Sequence, residues 1–424
     1  MSWVLGLSIA FLTALGAPIF VALLSGAALV LLLFPGPPLI ALQQTLFGGL
    51  DAYALLALPF FVFAGELMAV SGIADRLIGL VRALFGRLPG SLGIAALGGS
   101  TLIGTICGSS AAAVAAVGRN MYPQLIESGY GRRRAAGLIT SSGAIDIVIP
   151  PSIAMILYGA AAEQSIPKLF IAGIIPGVLM ALMMAGYISI SALVSRLPRE
   201  QAFRARIAWV AFRQAVWALT MPMVVLVGIY AGFFSPTEAG GFACAYAAFL
   251  GLIVYRSITF SDLLGAAARS AMLTAKIMIV VAAASVISWV LTVEGIPQAL
   301  IAATANAGLG PLDFLLMVNL LLLAIGCFLD PTSAILVLAP LLVPIAVSLG
   351  IDPIHFGVVM TVNLAIGMFT PPFGLNIFVA QSVLGARASE IYRGVLPFMA
   401  VQVSALALIT TIPALSLWML EGMK

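Results

Sequence analysis

The sequence predicts an all-α integral membrane protein built from two inverted-topology repeats, each carrying a re-entrant hairpin and a helix broken at Pro-Pro. Three observations predict it: an extreme apolar-to-charged balance, prolines that recur at one offset, and a charge asymmetry between equivalent loops.

The balance sets the solvent. Hydrophobic residues make up 62% and charged residues 8% of 424 positions, more apolar surface than a water-soluble chain can hide, so the bilayer is the environment. In lipid the backbone must satisfy its own hydrogen bonds, which leaves helices or a closed barrel. Runs such as Met221 to Phe234 and Leu315 to Phe328 lack the alternation of a barrel strand, so the chain is read as helical. The first fifteen residues hold no Lys or Arg and run on into apolar sequence, as a retained span does and a cleaved leader does not. Cys107, Cys244 and Cys327 sit in apolar segments without metal-ligand spacing and are read as small apolar residues. The net charge of +4 is spread over connecting loops, where it reports topology and gives no ground for nucleic-acid binding.

The prolines define the repeat. Pro123 and Pro344, Pro150-Pro151 and Pro371-Pro372, and Pro176 and Pro397 are each 221 residues apart, as are Gly173 and Gly394, and Leu88 and Leu309. Three landmarks at one offset predict halves of 1–195 and 215–424. Between them, 196–214 is expected as a basic cytoplasmic linker, because Arg196 to Arg206 is the most charged stretch of the chain.

Charge orients the halves. The loop Glu127 to Arg134 ends in Arg132, Arg133 and Arg134, whereas its mate, Ser348 to His355, has no Lys or Arg. Segment 72–90 holds Arg76, Arg82 and Arg87, and its mate 293–311 has Glu294 and no basic residue. Basic loops stay in the cytoplasm, so equivalent loops face opposite compartments and the repeat is inverted. Region 91–125 has arms of about fifteen residues on either side of Cys107-Gly-Ser-Ser110, each too short to span, which predicts a hairpin dipping in from the cytoplasmic side. Its counterpart, 311–348, turns near Leu329 to Ser333 and dips in from the periplasmic face. Each hairpin is followed by a helix that Pro150-Pro151 or Pro371-Pro372 must break, because proline removes a donor and disfavours helix in the residue before it. The other spans fall near 1–34, 52–70, 135–162, 169–193, 217–234, 237–255, 276–293, 356–383 and 394–418. This path leaves 17 of 19 Lys and Arg inside, with Lys168 and Lys424 outside.

Two tips and two breaks free backbone groups within the membrane, which is tolerated where they line a cavity or bind something. The residues there are small and polar. The first tip has Gly108, Ser109 and Ser110, and the first break has Ser141, Ser142, Gly143 and Asp146 before Pro150-Pro151. The second tip has Asp330, Pro331, Thr332 and Ser333, and the second break has Asn363, Thr370 and Asn376 around Pro371-Pro372. Such oxygens suit a hard monovalent cation such as Na⁺, while half-helix N-termini suit an anion. The competing role for the hydroxyls is bonding to their own helix. For Asp146 it is a helix-end cap, and for Glu66 and Glu238, near span ends, it is snorkelling or capping. Arg119 is placed at the hairpin base. The lone His355 is expected in an outer loop with no nucleophile-base arrangement around it, which argues against catalysis.

The runs Pro59-Phe-Phe-Val-Phe-Ala-Gly-Glu-Leu67, Gly108-Ser-Ser-Ala-Ala-Ala-Val, Ser141-Ser-Gly-Ala-Ile-Asp-Ile-Val-Ile-Pro-Pro151, Asp330-Pro-Thr-Ser-Ala334 and Thr370-Pro-Pro-Phe-Gly374 closely resemble the large membrane subunit of tripartite ATP-independent periplasmic (TRAP) transporters. The resemblance covers nearly the whole chain. It implies a bacterial inner-membrane, Na⁺-driven secondary transporter of the elevator type, importing an organic acid such as a C4-dicarboxylate or sialic acid. It further implies a periplasmic substrate-binding protein and a separately encoded small membrane subunit of four helices as partners, with Na⁺ as coupling ion and no other cofactor. By motif position, one sodium site falls around Ser109, Ser110, Ser142 and Asp146, and the other around Asp330, Thr332, Thr370 and Asn376.

Two other readings compete. A stand-alone cation-coupled anion transporter of a related hairpin-containing class would share the repeat and need no binding protein. An intramembrane protease could cast Asp146 and Asp330 as a catalytic pair, but their repeat-related settings beside helix breaks suit ion sites better.

Overall fold

The protein is described by a computed structural model covering residues 2–33, 39–86, 88–197 and 205–422, and every regular element among these is helical. Arg87, Lys424 and the centre of the expected linker lie outside the described residues. In order, the helices are α1 (Ser2–Ala14), α2 (Ile19–Leu33), α3 (Leu39–Gly48), α4 (Ala57–Val70, entered through a 3-10 turn, Tyr53–Leu56) and α5 (Ile73–Phe85). Then come α6 (Ser91–Cys107), α7 (Ser110–Glu127), α8 (Arg132–Asp146), α9 (Ile153–Ala161) and α10 (Ile166–Val194). The chain continues with α11 (Ala205–Tyr230), α12 (Pro236–Phe249, prolonged by a π turn, Leu250–Val254), α13 (Phe260–Val293) and α14 (Ile296–Asn306). It closes with α15 (Pro311–Gly326), α16 (Pro331–Ser348), α17 (Pro353–Gly367), α18 (Leu375–Leu384), α19 (Ala388–Thr411) and α20 (Ala414–Glu421). Seven of the described segments are long and apolar enough to cross a membrane unaided.

Local chemistry fixes most of these boundaries. Ser235 and Glu238 form a capping box that starts α12, the Glu238 carboxylate accepting from the Ser235 amide at 2.7 Å. Thr259 and Asp262 start α13 in the same way. That start corrects the sequence reading, which opened this span at 276: Arg269 and Lys276 interrupt the apolar run without interrupting the helix. Likewise α11 already includes Ala205 to Gln214, inside the stretch expected as linker, where Ala and Arg are strong helix formers. Glu66, on α4, receives the Arg269 guanidinium of α13 at 2.8 Å, an ion pair that neither snorkelling nor capping anticipated.

The first residues of α6 to α10 return at α15 to α19, displaced by 220 to 222 positions. Within each set the first two helices are joined by a short turn, Gly108-Ser109 or Cys327 to Asp330, and the next two are parted by the Pro-Pro pair, cis at both 150–151 and 371–372.

The core runs continuously through these elements. Helix α8 crosses α19 where Gly137 meets Gly394, so closely that a Cβ on either glycine would collide with backbone of the other helix. Small residues at a crossing let two backbones approach, the packing that serves helices in lipid. Gly326 of α15 meets Gly367 of α17 in the same manner.

Candidate functional site

At the first tip, Gly108 ends α6 with φ +61, a left-handed conformation that a Cβ would strain. Ser109 then takes an extended conformation and caps α7, its Oγ accepting from the Ala112 amide at 3.4 Å. Ser110 opens α7, is buried, and accepts at Oγ from the Asn376 side-chain amide at 2.7 Å. Gly143 of α8 makes room for it, since a Cβ there would fall 2.6 Å from the Ser110 Oγ.

The second tip is capped by a carboxylate. Asp330 accepts from the Ser333 amide at 3.2 Å and from the Ser333 hydroxyl at 2.6 Å, with Pro331 in the first turn, where its missing N–H costs no helical bond. The charge stands at the positive end of α16, which favours it. Thr332 is half-buried. Phe328 and Phe373, with ring centroids 5.2 Å apart, lay this tip against the second break.

The two breaks differ in surroundings. Pro150 and Pro151 are buried, whereas Pro372 and Phe373 are exposed. In α8, Ser141 and Ser142 donate to carbonyls of their own helix at 2.8 and 2.9 Å, the structural role weighed for them above. Asp146, the last residue of α8, is fully buried; Ser100 of α6 donates to its Oδ2 at 3.2 Å and its Oδ1 has no partner. At the second break, Thr370 donates to Ile366 O at 2.8 Å. Asn363 donates to Asn319 Oδ1 at 2.7 Å, and Asn319 donates to Thr410 Oγ1 at 2.9 Å.

Asn376 makes contacts that the grouping drawn from the motifs does not include. Grouped by motif with Asp330, it reaches the first tip, donating to Ser110 and, at 3.3 Å, to Thr140 O, and its own Oδ1 is buried without a partner among the described residues. The fold therefore joins Ser109, Ser110 and Asn376 at one tip and Asp330 and Ser333 at the other. Ser142, Asp146, Asn363 and Thr370 lie on the two broken helices between.

Several polar residues were not singled out from the sequence. Ser100, Asn319, Gln402 and Thr410 are all buried, and both side-chain polar atoms of Gln402 lack partners. An amide in an apolar run, as Asn319 is in Leu315 to Phe328, was the available signal. His355 is not in an outer loop: it lies in the first turn of α17, 1% exposed, with Nδ1 3.3 Å from Ser416 Oγ of α20. Among the described residues no three His, Cys, Asp or Glu side chains gather as a transition-metal site would require.

The described members of this cluster offer hydroxyl, amide and carboxylate oxygens, with no Lys or Arg among them, an arrangement suited to a hard cation. Comparison with known proteins gives the family and the fold. Residues 7–415 match the family described as Tripartite ATP-independent periplasmic transporter, DctM component. The chain is 42% identical over 394 residues, 93% of its length and 92% of the relative's, to the C4-dicarboxylate TRAP transporter large permease protein DctM of Pseudomonas aeruginosa. It is 35% identical over 420 residues, 97% of each chain, to the ectoine/5-hydroxyectoine TRAP transporter large permease protein UehC of Ruegeria pomeroyi. Among solved structures, the YdaH transporter of Alcanivorax borkumensis shares the fold, with TM-score 0.57 and 16% identity over 97% of this chain and 98% of that one.

Proposed function

The chain belongs to the DctM component family of tripartite ATP-independent periplasmic transporters, and from that membership we propose that it is the translocation subunit of a Na⁺-coupled importer of an organic acid. It is a transport protein, not an enzyme, and a multi-pass protein of the bacterial inner membrane. In the proposed cycle a periplasmic binding protein delivers solute. A small four-helix membrane subunit completes a fixed frame, and the tips and broken helices move against it as an elevator.

One observation carries the reading: two turn-linked helix pairs, α6–α7 and α15–α16, recur at one offset, each followed by a helix broken at a Pro-Pro pair. Of their arms, α6 and α15 have 17 and 16 residues, short for a bilayer that needs about twenty per span, and each is tied to the next helix by a turn of a few residues, which supports re-entrant hairpins. With the arginine asymmetry, the offset supports inverted repeats. Sodium would take oxygens of Ser109, Ser110 and Ser142 at one tip and of Asp330, Thr332 and Thr370 at the other. A carboxylate solute would be balanced by that charge and by helix N-termini, with more than one Na⁺ moving per solute. The P. aeruginosa relative favours a C4-dicarboxylate, whereas the R. pomeroyi relative, named for ectoine, keeps the cargo open within small carboxylates.

The test is to tag the chain in its host and identify what co-purifies in mild detergent, then to record melting of the complex in NaCl and in choline chloride. A stoichiometric small membrane protein and Na⁺-specific stabilisation are expected. Purification alone, with solute binding unaided, would favour the stand-alone carrier.

A further inference from the structure

Four arginines meet where α8 crosses α19. Arg132, Arg133 and Arg134 form the first turn of α8, and Arg393 precedes Gly394 in α19. The Gly394 Cα lies against the Arg133 carbonyl, since a Cβ there would overlap it, so the two basic segments share one contact although 260 positions separate them. Arg132, Arg133 and Arg393 are exposed and Arg134 is half-buried. No guanidinium of the four makes an ion pair or hydrogen bond among the described residues. The nearest carboxylates in sequence are engaged elsewhere or left apart: Glu390 accepts from the Arg387 amide at 3.1 Å, and Glu127, at the end of α7, pairs with none of them.

Two features decide what this patch takes. Its charge calls for an anion, and arginine holds phosphate oxygens through two parallel hydrogen bonds. Its surroundings call for lipid. Beyond Arg393 the exposed face of α19 continues through Leu396, Ala400, Val403 and Ala407, one stripe at helical spacing, and α19 has no further charged residue. A cationic end continuous with an uncharged stripe matches the outline of an anionic phospholipid, headgroup at the edge and acyl chain along the helix. The competing role is topology, since basic residues hold a loop in the cytoplasm. That role is met anywhere in a loop and does not bring arginines of α8 and α19 together or leave them unpaired. Nor is the patch a by-product of the repeat: the equivalent positions are Pro353, Ile354, His355 and Ala172, with no Lys or Arg.

We propose that the α8–α19 crossing binds the phosphate headgroup of an anionic phospholipid of the cytoplasmic leaflet, with Arg133 and Arg393 as its central contacts. The headgroup supplies the negative charge that the protein's own carboxylates do not. Because α8 ends at the first break, the site ties lipid charge to the helices proposed to move. The inference rests on the membrane placement of the chain and the cytoplasmic placement of these arginines, and it needs no sodium coupling.

The experiment is a lipid titration of the purified full-length chain, with any co-purifying subunit retained, in mild detergent at constant ionic strength. Melting temperature and native mass spectrometry are the readouts. The probes are phosphatidylglycerol, phosphatidylcholine with the same acyl chains, and inorganic phosphate. Phosphatidylglycerol is expected to raise melting saturably and to stay bound, whereas phosphatidylcholine and inorganic phosphate do neither. Arg393→Gln alone should weaken the phosphatidylglycerol midpoint about fivefold, and together with Arg133→Gln about thirtyfold. The charge-matched control, Arg206→Gln with Arg213→Gln in α11, should leave it unchanged. Melting in phosphatidylcholine shows whether each variant is folded, and the exposed single variant carries the test where the pair does not accumulate. Equal stabilisation by the two lipids, a wild-type midpoint in Arg393→Gln, or equal weakening in the control would each overturn the proposal. So would saturation by inorganic phosphate, which would mark a site for a free anion.

Discussion

Asn376, in the first turn of α18, donates a 2.7 Å hydrogen bond to the Ser110 hydroxyl of α7 across 266 positions of sequence. The second break and the first tip are thereby one structural unit. Replacing Asn376 with Leu strands the buried Ser110 hydroxyl, a loss of about 1–3 kcal/mol. A double-mutant cycle with Ser110→Ala, read by melting or denaturant unfolding, should return a coupling of about 1 kcal/mol. Strict additivity would show that the bond contributes nothing.

The crossing of α8 and α19 admits no side chain. Gly394→Val is expected to destabilise the protein by about 1–3 kcal/mol or prevent its accumulation, because the Cβ meets the Arg133 carbonyl and Gly137. Gly131→Ala is the control, since nothing lies within 4 Å of its Cβ position and its φ of −62 suits any residue. Equal melting temperatures for the two variants would contradict the close approach.

The Glu66–Arg269 pair should matter little. Its side chains are 29% and 53% exposed, and ion pairs of that kind contribute about 0–1 kcal/mol. Arg269→Gln is therefore expected to shift melting by a few degrees at most, with the shift shrinking as salt rises.

Asp330→Asn keeps a side-chain oxygen for the Ser333 amide and removes the charge. Membrane insertion and fold should be preserved, while the NaCl concentration that half-stabilises the protein rises severalfold. Asp330→Ala additionally loses the cap, about 1 kcal/mol. A wild-type sodium midpoint in the Asn variant would clear Asp330 of an ion role.

The parts of this architecture visible in the sequence are those with local causes. Proline, glycine and capping residues act within a turn, so the break before Pro150-Pro151 and the tip at Gly108 could be placed from composition alone. Partners across the two halves leave no such trace, and for that reason the bond from Asn376 to the first tip is not legible in the sequence. His355 is buried by α20, whose Ser416 meets it from 61 residues away, and nothing near it in sequence announces that cover. Asp146 was visible as a charge in an apolar setting, but the helix end on which it sits and its bond from Ser100 became apparent only with neighbouring helices in place.

The length of α13 has a mechanical consequence. Its 34 residues rise through about 51 Å, against about 30 Å of hydrocarbon, and its first third carries Asp262 and Arg269. A helix with that much polar surplus at one end responds to a thinner or thicker bilayer by exposing or burying more of that end, without a forced change of tilt. Because α13 packs against α2, α3, α4, α14 and α16, a shift of its depth in the bilayer is passed on to helices of both halves of the chain.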